Sequence, residues 1–173
     1  ETQEQEKIKG SINAVCKACG EMSDEKIGSL IVFEKETKLG EISKTGTTID
    51  AIVTPEMIGN IFFPKAPMHD GAVIIKEGRV VAAGCILPLT SNKEISSDLG
   101  TRHRAAIGMS ENSDAVVVVV SEETGAISVV RRGRLKRGIS DGDLREVLSK
   151  EFLKKNTREN RRIIRKRGNL NEQ

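Results

Sequence analysis

The chain has no tryptophan, no tyrosine and only four phenylalanines in 173 residues. Its core must therefore come from Val, Ile, Leu and Ala. The aromatic platforms on which single-stranded nucleic acids stack are missing, and nucleic acid is not an expected partner. Cysteine is scarce and odd in number, at three. That argues against a disulfide framework and fits a reducing compartment. Cys16 and Cys19 have Cys-x-x-Cys spacing, but Cys85 alone cannot complete a four-ligand zinc site, so the pair reads as core thiols. No apolar run is long enough to cross a bilayer, and no signal peptide is present. The phosphate-binding Gly-x-x-x-x-Gly-Lys-Ser/Thr pattern and the dinucleotide fingerprint are absent too.

What is present fits one domain with room for a real core. The net charge of +3 hides an asymmetry: residues 131–173 carry 15 Lys and Arg against 6 Asp and Glu. The basic end reads as a solvated tail over residues 156–173, with contact to membrane lipid or nucleic acid the alternative. Residues 1–22 read as a charged connector helix, leaving a domain at 23–155. Within the connector, Ile8, Ile12, Val15 and Cys19 have helical spacing over 4–21.

The rest of the chain alternates strands and helices. Gly28 to Phe33 is a short apolar strand, followed by a polar, turn-rich stretch to Ile49. Thr54 caps a helix with Pro55 in its first turn, running to about Ile61. Pro64 and Pro67 exclude regular helix before His69. Ala72 to Ile75 and Val80 to Leu87 are strands joined at Glu77-Gly78, and Pro88 to Leu99 is a loop. Thr101 is expected to cap a helix to about Glu111. Val116 to Val120 is an interior strand, apolar on both faces. It hairpins through Ser121–Gly125 into Ala126 to Val130. Ser140 caps a helix from Asp141 to about Lys154. The expected fold is α/β: a single domain with a central mixed sheet flanked by helices.

Two polar clusters concentrate the chemistry, and both histidines sit in them. Met68-His69-Asp70-Gly71-Ala72 opens a strand. Asp70 offers a carboxylate beside a bare backbone, able to orient a sugar hydroxyl or hold a metal, and His69 offers a ligand nitrogen. Gly100-Thr101-Arg102-His103-Arg104 opens a helix, where free N–H groups and two guanidinium forks suit phosphate. Ser121-Glu122-Glu123, at the end of the five-valine strand, suits a divalent cation that bridges phosphates. Singly, each cluster also fits an inert turn or a solvated helix start.

Asp70-Gly71-Ala72 and Arg102-His103-Arg104, with the flanks Pro67-Met68-His69, Leu99-Gly100-Thr101 and Ser121–Gly125, resemble the signature motifs of the diadenylate cyclases. These enzymes condense two ATP molecules into cyclic di-AMP with release of pyrophosphate. The resemblance implies that Asp70 engages the ribose 3′-hydroxyl and that Gly71 and Ala72 let the nucleotide approach the backbone. It implies that Thr101, Arg102, His103, Arg104 and Ser121 hold phosphates, with Arg102 and Arg104 counted with Asp70 as catalytic. His69 and Glu122 would be ligands to Mn²⁺ or Mg²⁺, and Leu87 would lie against adenine. It also implies a head-to-head homodimer, because one pocket holds one ATP. The flanks look most like the membrane-anchored type, whose catalytic domain follows transmembrane helices at the cytoplasmic face of the bacterial membrane. A start at Glu1 would then be that of a fragment. A non-catalytic nucleotide sensor is the alternative.

Overall fold

The computed structural model describes residues 2–154, so the basic tail expected over 156–173 lies outside the described residues. Seven strands form one sheet in the order β2-β4-β3-β1-β5-β6-β7. They are β1 (Ser29–Phe33), β2 (Thr47–Ile52), β3 (Ala72–Lys76), β4 (Arg79–Cys85), β5 (Val116–Val120), β6 (Ile127–Arg131) and β7 (Arg134–Ile139). β1 runs parallel to β3, and every other pairing is antiparallel. The sheet is therefore mixed, as expected.

Alternation along the five valines builds two cores. Val116, Val118 and Val120 face one side, with α1 (Thr2–Glu25), α3 (Pro55–Phe62) and α5 (Asp141–Phe152). Val117 and Val119 face the other, with α4 (Thr101–Glu111) and residues beside the short α2 (Gly40–Ser43). A strand buried on both faces needs no polar positions, which is why the run is unbroken Val.

The caps of α3 and α5 form where the sequence predicts them. Thr54 Oγ1 accepts from the Met57 N–H at 3.1 Å, and Ser140 Oγ accepts from the Asp143 N–H at 3.0 Å. At α4 the expectation fails. Gly100, not Thr101, is the N-cap, in extended backbone, and no side chain caps the helix. Thr101 is the first helical residue, with its side chain exposed.

Both edge strands escaped the sequence reading. β2 and β7 are mostly exposed and polar, with Lys and Arg spread along β7. An edge strand is held by backbone bonds on one side only, and charge there discourages further pairing, so β7 carries no sustained apolar alternation and β2 shows it only at Ile49 and Ala51.

α1 is more than a connector. It runs through residue 22, and Ile12, Val15, Cys16, Ala18, Cys19 and Met22 are buried in the first core. Ser23 Oγ donates to the Gly125 carbonyl at 2.6 Å, tying the helix end to the β5–β6 turn. Cys16 and Cys19 are core thiols, as read. Burial pushes the Cys16 thiol up to about 11 and Cys19 higher still, so neither is a reactive thiolate near neutrality.

Candidate functional site

Strand registers bring the two sequence clusters together. Ile31 is level with Val73 in the parallel β1–β3 pair, and Ser29 is level with Val120 in the antiparallel β1–β5 pair. Continuing the β1–β5 ladder by one residue brings Gly28 beside Ser121, and Asp70 stands just before the start of β3. Ala72 opposite Cys85 in the β3–β4 pair brings residues 85–87 to the same end of the sheet. The starts of β1 and β3 and the ends of β4 and β5 thus share one sheet end. The N-terminus of α4 descends on it from the second core.

A cleft of about 680 Å³ opens there, within the size range of sites for one small-molecule ligand. It is lined by nine of the residues singled out in the sequence: His69, Asp70, Gly71, Leu87, Thr101, Arg102, His103, Ser121 and Glu122. Two others are elsewhere. Ala72 is fully buried in the second core. Arg104 is half-buried outside the cleft lining, and its carbonyl accepts from the Thr90 N–H at 3.1 Å, fixing the loop after β4 against α4. The cleft also takes in Leu30, Ile86, Leu89 and Asp98, which the motifs did not mark. Ile86 and Leu89 are exposed apolar side chains at its wall, a signal that appears only once neighbours are known.

Each polar wall residue has a defined chemical posture. Gly71 has φ +131°, a backbone region closed to other residues. A Cβ there would meet the Gly84 carbonyl carbon at 2.7 Å. This tight entry to β3 leaves the Asp70 carboxylate exposed in the cleft. His69 Nδ1 lies 2.7 Å from the Ala66 carbonyl oxygen. A carbonyl only accepts, so Nδ1 donates, and in the neutral ring the lone pair falls on Nε2. That is the tautomer a metal ligand needs. Ser121 Oγ accepts from the Glu123 and Thr124 N–H groups at 3.2 and 3.3 Å, which leaves its hydroxyl proton free to donate. Arg102 Nη1 lies 3.5 Å from Glu122 Oε2, linking the phosphate-suited and metal-suited sides.

His103 is buried, and neither ring nitrogen has a partner among the described residues. Burial and then the nearby Arg137 and Arg102 hold its pKa below the ordinary 6.5, against weaker pulls from Asp98 and Glu123. The ring is therefore neutral at pH 7. Below pH 6.5 the unfolded chain takes up a proton that the folded protein resists. Stability from this group is fully present above pH 6.5 and is lost as pH falls from there toward the lowered folded value. Urea melts between pH 7.5 and 5 are expected to show falling stability, by at most about 1.4 kcal/mol per pH unit from this group. His103→Gln should flatten that slope, and an unchanged slope would mean another group is responsible.

Among the described residues, no group of three or more His, Cys, Asp or Glu side chains is clustered as a metal site. His69 and Glu122 are both cleft residues, and a hard cation that draws its remaining ligands from substrate phosphates and water needs only one or two from protein.

Comparisons with known proteins give the family and the fold. Residues 16–135 match the family model described as "DAC: DisA bacterial checkpoint controller nucleotide-binding". The cyclic di-AMP synthase CdaA of Bacillus subtilis is 46% identical over 149 residues, covering 86% of this chain and 54% of that protein. A diadenylate cyclase of Listeria monocytogenes is 41% identical over 142 residues, covering 82% of this chain and 52% of that protein. The chain thus spans about half the length of these curated relatives. A double mutant of DacA from Staphylococcus aureus superposes with a TM-score of 0.82 at 45% identity, covering 88% of this chain and 99% of that one. No helix among the described residues is long and apolar enough to cross a membrane. By family match, relatives and fold alike, the chain belongs to the diadenylate cyclase domain family.

Proposed function

We propose that this domain is a diadenylate cyclase, joining two ATP molecules into cyclic di-AMP and releasing two pyrophosphates. The observation that carries the reading is the convergence of Asp70, Arg102, His103, Ser121 and Glu122 in one cleft, in a chain whose relatives bear that activity in their names.

The chemistry assigned to each residue follows from its posture. The ribose 3′-oxygen of one ATP attacks the α-phosphorus of the other. A P–O bond forms there, and the bond to the departing pyrophosphate breaks. Asp70 accepts a hydrogen bond from the 3′-hydroxyl and orients its lone pair for in-line attack. Arg102, the free N–H groups at the start of α4 and the Ser121 hydroxyl hold the phosphates and offset the charge that builds on them. His103, neutral and buried, can donate one hydrogen bond without adding charge. Arg104 reaches the phosphates only if its side chain turns toward the cleft. Leu87, with Ile86 and Leu89, gives adenine an apolar wall in place of an aromatic one. His69 through Nε2 and Glu122 would hold Mn²⁺ or Mg²⁺, which supplies charge neutralisation at the phosphates when bound.

One cleft accommodates one ATP, and a cyclic product contains two new phosphodiester links. Two clefts must face each other, so the working species is a head-to-head homodimer. In an intact, membrane-anchored protein that dimer would stand at the cytoplasmic face.

The test is incubation with ATP and Mn²⁺ or Mg²⁺, with chromatography of the nucleotides. Cyclic di-AMP and pyrophosphate are expected, at a rate per protomer that rises with protein concentration until the dimer is saturated. Bound ATP without product, at high protein concentration and with either metal, would establish the sensor reading instead.

A further inference from the structure

The guanidinium of Arg102 lies across the backbone of Gly28. A Cβ built on Gly28 would sit 2.6 Å from Arg102 Cζ and Nη1, and 3.1 Å from Nε. No side chain at residue 28 is compatible with this placement. On the other side, Arg102 Nη1 faces Glu122 Oε2 at 3.5 Å, while Nε is buried without a hydrogen-bond partner among the described residues. The guanidinium plane is therefore fixed by a floor and a carboxylate, not by a bond at Nε. The floor lies one residue before β1, beside the end of β5 that leads into Ser121.

We infer that Gly28 is a positioning residue: its missing side chain is the slot that holds the Arg102 guanidinium in the cleft it shares with Asp70 and Ser121, where the nucleotide's phosphates pass. The inference rests on the nucleotide-binding reading above. The backbone at Gly28 has no positive φ, so another residue can adopt it without strain. The atoms an added methyl would meet are the far end of a flexible side chain, so the fold can absorb the change. Arg102 cannot, because its guanidinium must leave the slot. Gly28 lies outside both signature motifs, and nothing in its flanking sequence marks it.

The test is a double-mutant cycle read by calorimetric binding of ATP and of adenosine, with metal present. Gly28→Ala is expected to keep a cooperative thermal transition and to weaken ATP about tenfold or more, the loss expected for a charge-assisted hydrogen bond. Adenosine, which has no phosphate, should bind Gly28→Ala and the unmodified protein alike. In an Arg102→Ala background, adding Gly28→Ala should cost nothing further. Unchanged ATP affinity in Gly28→Ala, equal losses for ATP and adenosine, or full additivity with Arg102→Ala would each overturn the inference. Should Gly28→Ala not fold, the same substitution is made in the Arg102→Ala background. Recovery of a cooperative transition there supports the slot, and continued failure to fold refutes it. These are binding and folding readouts, so an unmodified protein that binds ATP without turnover would sink the cyclase reading and leave this one standing.

Discussion

Replacing Asp70 with Asn is expected to lower cyclic di-AMP formation by about 10²–10⁴-fold, the range for loss of a positioned proton acceptor, while ATP still binds. The carboxylate is exposed at the start of β3 and holds no partner in the core, so the change is almost isosteric and free of packing cost. The amide keeps one acceptor oxygen but loses the charge that favours a developing alkoxide. In the proposed function, binding is carried by groups on the other wall, chiefly Arg102 and Ser121. Product chromatography and calorimetric ATP titration on the same preparation check both halves. Wild-type turnover in Asp70→Asn would remove Asp70 from the chemistry. Loss of ATP affinity with the fold intact would reassign it to binding.

The second large effect concerns α1. A chain starting at residue 23 is expected to lose its cooperative fold. Ile12, Val15, Cys19 and Met22 are buried between the sheet and the helices of the first core. At about 1.5–3 kcal/mol for each apolar side chain, their removal forfeits roughly 6–12 kcal/mol. The entire stability of an ordinary domain is about 5–15 kcal/mol. It would also uncover Leu144 and Leu148 of α5, which are fully buried. Circular dichroism through a urea titration is the measurement. A cooperative transition at an unchanged midpoint would restore residues 1–22 to the role of a mere connector.

α1 shows why the sequence reading stopped where it did. The spacing of Ile8, Ile12, Val15 and Cys19 announces a helix, but the same stripe serves a free connector docked on a partner or a helix built into its own core. Which one holds depends on what the stripe meets, and α3, α5 and the sheet are distant in sequence. The edge strands show the opposite failure. Arg134–Ile139 pairs with β6 through backbone bonds, to which local apolar pattern is indifferent. At α4, Thr101 had the right chemistry for a cap, yet Gly100 took the position. A cap is set by where the chain turns, and either residue permits a turn there.

By itself the sequence determined the buried strand of five valines, the capped starts of α3 and α5, the core thiols, the mixed α/β class and the two polar motifs. Those are local properties: periodicity, side-chain hydrogen-bonding capacity and the conformational limits of Pro and Gly act over a few residues. Only the tertiary structure decided that Asp70, Gly28 and Ser121 gather at one end of the sheet, because register is fixed by backbone pairing between segments distant in sequence. It also decided that Ala72 belongs to the core and Arg104 to the cleft's surroundings. Neighbours in a motif point different ways once one is paired in a strand or wound into a helix.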